Sequence, residues 1–123
     1  LGRIDMNDTH LAIGCYPGGS SFKVLELSML SSPSYQTVPG QDCPSEVSFN
    51  DKGFFIPGDD KIIGWNSVAD ALAGSSPTMS FGGKTDKTNI GTKMAAGIGW
   101  DGYHFWVGEY KFSNRLLGFA PSK

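Results

Sequence analysis

The sequence predicts an all-β domain, and two observations carry this prediction. The first is composition: the 123 residues include 17 glycines and 7 prolines, and 12% are aromatic, a combination typical of short strands joined by tight turns. The second is a segment that occurs three times without a gap and places apolar residues at alternate positions around a turn. Such alternation is the period of a strand with one buried face. We therefore expect a single all-β domain over residues 1–123, without long helices.

The repeated segment predicts a β-hairpin in each copy. The copies read "IDMNDTHLAIGCY" at 4–16, "VSFNDKGFFIPGD" at 47–59 and "IGWDGYHFWVGEY" at 98–110. Each starts with apolar residues two positions apart, passes through Asn-Asp or Asp-Gly, and returns through a second apolar pair. Asn, Asp and Gly are the residues that favour tight hairpin turns.

Each hairpin is followed by a third apolar stretch: "FKVLEL", "KIIGW" and "NRLLGF". Each copy is thus expected to form a meander of three antiparallel strands. The stretches "YQTV" and "TMSFGG" are candidates for a fourth, outer strand. The predicted repeat cores span residues 4–27, 47–65 and 98–119.

A unit of several strands that recurs roughly every 40 to 50 residues predicts the blades of a β-propeller. The alternative is a β-sandwich whose hairpins resemble one another by composition. Propellers usually carry four to eight blades, so three units do not close a ring. We expect the ring to be completed by another chain, which would make a homo-oligomer, or by missing blades of a larger chain.

The third copy, in the longer form "GIGWDGYHFWVGEYKFSNRLLGF", resembles the NHL-type propeller repeat. Its "SNRLLGF" corresponds to the Asn-Arg-hydrophobic strand opening of that family, whereas the first copy has "SSFKVLEL" instead. The resemblance implies blade architecture. It implies little about function, because propellers carry many unrelated activities.

Packing between blades accounts for Trp100, Phe105 and Val107, because the other copies carry apolar residues at the same positions. Other side chains of the third copy differ in character from copy to copy and are candidates for ligand binding. Tryptophan beside Arg, Glu or Asn suits sugars, and the arrangement resembles small lectins that assemble six-bladed propellers from several short chains and bind sugar between blades. The predicted ligand-binding residues are Trp65, Tyr103, His104, Trp106, Glu109 and Arg115.

The leading functional prediction is a non-enzymatic binding module, lectin-like or receptor-binding, on an extracellular or secreted surface protein, with a glycan as a possible ligand. The chain has no Cys-x-x-Cys, His-Glu-x-x-His, Gly-x-Ser-x-Gly or phosphate-loop motif, so no catalytic residue, metal or cofactor is predicted. A net charge of −2 argues against nucleic-acid binding. No apolar run reaches the roughly 20 residues of a membrane-spanning helix, so no membrane insertion is expected.

Two alternatives to this function remain open. The first is an assembly platform in a secreted or viral surface complex, favoured by the long polar segment at 69–96, which could reach a partner. The second is a fragment of a larger propeller enzyme.

Two further expectations concern single residues. Cys15 and Cys43 permit one disulfide, although the sequence does not show that the two residues are close enough to form it. Gly108 stands where the other copies have Gly14 and Pro57, which predicts a special backbone conformation at this position.

Overall fold

The all-β prediction is confirmed by the computed structural model, which describes residues 4–14, 22–41, 46–57, 61–82, 95–109 and 116–121. These residues form three antiparallel sheets, here called sheets I, II and III, with very little helix. Within them, no helix is long and apolar enough to cross a membrane.

Sheets I and II each have four strands in chain order, and sheet III has three strands among the described residues. Sheet I consists of β1 (Ile4–Met6), β2 (His10–Ile13), β3 (Lys23–Glu26) and β4 (Tyr35–Thr37), with a 3₁₀ turn at Leu27–Met29. Sheet II consists of β5 (Ser48–Asn50), β6 (Gly53–Pro57), β7 (Ile62–Trp65) and β8 (Met79–Phe81). Sheet III consists of β9 (Ala95–Trp100), β10 (Phe105–Glu109) and β11 (Leu116–Phe119). The two stretches proposed as outer strands are therefore β4 and β8.

The first hairpin turn of sheets I and III has the same hydrogen bonds. In sheet I, Oδ1 of Asn7 accepts from the backbone N–H groups of Thr9 and His10 at 2.9 and 2.8 Å. In sheet III, Oδ1 of Asp101 accepts from Tyr103 and His104 at 2.8 and 2.7 Å. The carboxamide or carboxylate closes the turn because its oxygen replaces a backbone acceptor.

Each sheet has two faces, which the strand register defines. The front face carries Leu11, Phe54 and Phe105 in the three sheets, and the back face carries Ala12, Phe55 and Trp106. These residues hold equivalent positions in the repeat. Since successive side chains of a strand point to opposite faces, one shift of register would exchange the two sets.

The back face of sheet I packs against the front face of sheet II. The rings of Phe22 and Phe54 stack with centroids 5.5 Å apart and planes 8° apart, and Trp65 lies beside Phe54. A short helix, α1 (Val68–Leu72), covers part of this core. The buried residues of the junction are Ala12, Phe22, Val24, Val38, Val47, Phe54, Ile56, Trp65, Val68 and Ala71.

The back face of sheet II packs in the same way against the front face of sheet III. The ring of Phe105 lies 4.8 Å from that of Phe55 and 4.9 Å from that of Phe81. Val107 is buried in the same cluster, and Trp100 packs against it. Trp100, Phe105 and Val107 thus pack between sheets, as their positions in the repeat predict.

Hydrogen bonds also join consecutive sheets. Oδ2 of Asp5 in β1 accepts from the backbone N–H of Phe49 in β5 at 2.7 Å. Past β11, the chain pairs with the outer strand of sheet II, where Gly82 N–H donates to the Ala120 carbonyl at 3.1 Å and Phe81 bridges Pro121. The first strands lie near one another, because β1 contacts β5 and β5 contacts β9.

The structure changes two expectations. Much of the polar segment at 69–96 is folded onto sheet II, because α1 buries Val68 and Ala71 and β8 pairs with β7. Gly108 does not have a left-handed φ, and a Cβ added there would meet nothing within 4 Å. The special backbone conformation predicted at Gly108 is therefore not a left-handed one; the irregularity there is a shift of the β9–β10 register between Gly108 and Glu109.

Candidate functional site

A surface pocket of about 490 Å³ lies between sheets II and III, at the end that carries the first hairpin turns. Strand β8 and the turn after β5 supply one wall, and the β9–β10 hairpin supplies the other. Its lining residues are Lys52, Thr78, Met79, Ser80, Phe81, Trp100, Gly102, Tyr103 and Pro121. Both sheets are therefore needed to form the pocket.

Trp100 is held in the pocket wall by contacts to sheet II. Its indole N–H donates to Oδ1 of Asp51 at 3.1 Å, and its ring meets Phe81 edge to face at 5.5 Å. The hydrogen bond satisfies the polar group of a half-buried indole, so the ring orientation is fixed before any ligand binds. A preorganised aromatic wall lowers the entropy cost of binding.

Polar and aromatic groups share the rest of the wall. The side chain of Lys52 is 55% exposed, and its Nζ lies 3.9 Å from Oδ2 of Asp51. Tyr103 is 60% exposed, and Thr78 and Ser80 of the outer strand border the opposite side. An aromatic surface with a phenol and an amine beside it suits a small ligand that has both an apolar face and hydroxyls.

Asp101 organises the hairpin turn that bears Tyr103. Besides its bonds to the turn backbone, its Oδ2 accepts from the Trp106 indole N–H at 2.9 Å and lies 3.3 Å from Nδ1 of His104. The backbone N–H of His104, then the Trp106 indole and the Tyr103 backbone N–H, hold the pKa of Asp101 well below its usual range. Hydrogen bonds to the charged form stabilise that form, so this turn keeps a negative charge.

The structure brings three predicted site residues together in one row. The rings of Tyr103 and His104 are 4.6 Å apart, and those of His104 and Trp106 are 5.9 Å apart. The row runs from the pocket, where Tyr103 lies, to the back face of sheet III, where Trp106 lies. Only Tyr103 of the three lines the pocket.

The other predicted residues are not part of this row. Trp65 is 1% exposed in the core between sheets I and II, and its indole N–H donates to the Ser75 carbonyl at 2.8 Å. The side chain of Glu109 and all of Arg115 lie outside the described residues, as do Cys15 and Cys43. Trp65 thus has no free surface for a ligand.

Several pocket residues were not identified from the sequence. Lys52 and Ser80 belong to sheet II, and the sequence does not show which turns of neighbouring sheets come together. Trp100 was not among the predicted ligand-binding residues, but it packs against sheet II and also lines the pocket. The available signal was the lectin resemblance, which places sugar between blades.

Neither metal-binding side chains nor comparison with known proteins gives a further guide to the site. Within the described part of the chain, no three His, Cys, Asp or Glu side chains are grouped so that they could hold a metal ion. No protein-family model, curated protein or solved structure matches this sequence or fold.

Proposed function

We propose that this chain is a glycan-binding module of the β-propeller type, belonging to an extracellular or surface protein, and that it binds its ligand between sheets II and III without acting on it chemically. The pocket between these sheets carries the proposal. Sugars present an apolar ring face and many hydroxyls, and the pocket offers an aromatic wall with Tyr103 and Lys52 in it.

The way in which the sheets pack supports propeller blades over a β-sandwich. A sandwich has two sheets around one core, whereas here the middle sheet is covered on both faces by separate cores. Both junctions place a back face against the next front face, which is the repetition that a ring of blades requires. The first strands contact one another from sheet to sheet, as innermost strands around an axis would.

A glycan array tests the proposal. The wild-type chain is expected to bind one group of related glycans, and Tyr103→Ala is expected to lose this binding because it removes an exposed wall of the pocket. Leu30→Ala is the matched control, since Leu30 is also 60% exposed but lies in the turn between β3 and β4. Binding by the control and not by Tyr103→Ala would support the site.

The variant Trp106→Ala distinguishes binding in this pocket from binding on the back face of sheet III, where the row of rings ends. Trp106 lies on the back face of sheet III and does not line the pocket, so its truncation should leave glycan binding intact. Loss with Trp106→Ala but not with Tyr103→Ala would place the ligand on the back face instead. No glycan bound by the wild type would contradict the proposed function.

A second function, an assembly platform, is favoured by one observation. Large apolar side chains are exposed on the outer faces of sheets I and III, among them Met6 and Leu116. Exposed apolar patches of this kind mark interaction surfaces.

A further inference from the structure

Two sheet faces are open among the described residues. Sheet II is covered on both faces, sheet I only on its back face and sheet III only on its front face. The open surfaces are therefore the front face of sheet I and the back face of sheet III. The two open faces are of different types. At both internal junctions a back face packs against a front face, so each open face is of the type that the other type covers.

The open front face of sheet I is mainly apolar and carries exposed apolar side chains beside the buried Leu25 and the exposed Lys23. Ile4, Met6 and Tyr35 are 57%, 55% and 52% exposed. Met6 is the equivalent of Phe49 and Trp100 in the other copies, and both of those rings pack against the preceding sheet. The same position in sheet I has no preceding sheet to pack against in the described chain.

The open back face of sheet III is a nearly flat surface beside one indole. Register places Gly99 and Gly118 on either side of Trp106, and Gly97 opposite Gly108. A Cβ at Gly97, Gly99 or Gly108 would meet nothing within 4 Å, so space above these glycines is open. Trp106, whose ring lies over Gly118, and Leu116 are 38% and 68% exposed.

We propose that the front face of sheet I of one copy packs onto the back face of sheet III of a second copy, and that two such contacts close a ring of six sheets. Met6 and its neighbours would enter the space above the glycines, beside Trp106. Large side chains over small ones already occur at the first junction, where Phe54 and Trp65 pack over a face that includes Ala12.

A second copy is favoured because both open faces belong to the same chain and are complementary. The described part of a single copy leaves them uncovered, and pairing a face with its own kind would put Met6 against Met6 and glycine against glycine. A contact between unlike faces closes into a ring when the rotation per sheet permits it. The closed ring of six sheets depends on the proposed propeller arrangement. The contact between the front face of sheet I and the back face of sheet III does not depend on it.

Two charged variants and their mixture test the contact by sedimentation velocity. Met6→Glu alters only the front face of sheet I, and Gly99→Glu alters only the back face of sheet III, in open space. Each variant alone is expected to weaken self-association by about 100-fold or more, because every contact then buries an unpaired carboxylate. Circular dichroism melting checks that both variants fold as the wild type does.

The mixture distinguishes this arrangement from symmetric pairing. In an equimolar mixture, one contact of each mixed pair joins two unaltered faces, so a pair of one copy of each variant is expected to form. If only one of the two variants dissociates, like faces pair with like and the proposal is wrong. A wild-type chain that is monomeric, or that grows into open assemblies with concentration, also overturns it. Glycan binding is assayed separately, because the pocket lies within one copy.

Discussion

Phe55 and Trp106 hold the same position in consecutive sheets, and each ring lies over a glycine of the next strand, Gly64 or Gly118. Sheet III covers Phe55 completely, whereas Trp106 is 38% exposed. The aromatic residue at this position is therefore a back-face packing residue of the repeat, and its exposure in sheet III reflects the open face.

Truncating Phe55 and truncating Trp106 to Ala should lower the free energy of unfolding by unequal amounts. Phe55→Ala removes a fully buried ring from between sheets II and III and should lower the free energy of unfolding by about 3–5 kcal/mol. Trp106→Ala should cost clearly less in the monomer, since part of the ring is already in water. Urea unfolding at low protein concentration measures both. Equal losses would contradict the assignment of Trp106 to an open face.

A side chain at Gly53 is expected to strain the backbone and destabilise the fold. The φ of Gly53 is 149°, and a Cβ there would overlap the carbonyl oxygen of Trp65. Gly53→Ala should therefore lower the free energy of unfolding by about 1–3 kcal/mol or more, as strained backbone positions do. Gly97→Ala is the matched control in the monomer, because a Cβ there meets nothing within 4 Å, and low protein concentration keeps the proposed contact at this face from forming. Urea unfolding should show a change within about 0.5 kcal/mol for the control, and a comparable loss in both variants would count against the β6–β7 register.

Asp101 predicts a pH dependence of the third hairpin. Its pKa is lowered in the folded state, so the carboxylate stabilises the fold fully above about pH 4, the pKa of an unfolded Asp, and this stabilisation decreases as the pH falls toward the lowered pKa. The indole N–H resonance of Trp106 should keep its hydrogen-bonded chemical shift as the pH falls through 4. Asp101→Asn, which removes the charge, should shift it at neutral pH. A shift in the wild type with a midpoint near 4 would show that the bond does not hold the carboxylate charged.

The cysteines give a prediction about the cellular setting. An extracellular protein of this kind is expected to join Cys15 and Cys43, since disulfides persist in oxidising compartments. Peptide mass mapping without reductant should recover the two cysteines in one linked pair. Two free thiols in protein purified from its natural source would argue against the extracellular assignment.

The strands were predictable from the sequence because each sheet is local. Every strand of sheets I and II pairs with its neighbour in the chain, so hairpin turns such as Asn50-Asp51 and alternation of apolar residues specify the register. Helix α1 was not predicted, although Ser67 and Asp70 carry a capping signal: Ser67 Oγ accepts from the Asp70 backbone N–H at 3.1 Å.

The candidate site was only partly predictable, because it forms between sheets. The sequence pointed to Tyr103 through its variation among copies, but it could not bring Lys52 and Ser80 to the same pocket. It also took Trp65 for a ligand residue, since an aromatic at the end of a strand gives no sign of which face the next sheet covers. The alternate glycines of "AAGIGW" were the signal for the open face of sheet III.

The mass of the wild-type chain in solution, measured by light scattering over a range of concentrations, tests the stacking account most directly. Three sheets with one open front face and one open back face should associate, and the account predicts a stable mass of twice 13.2 kDa. A folded chain that stays at 13.2 kDa at every concentration would contradict it.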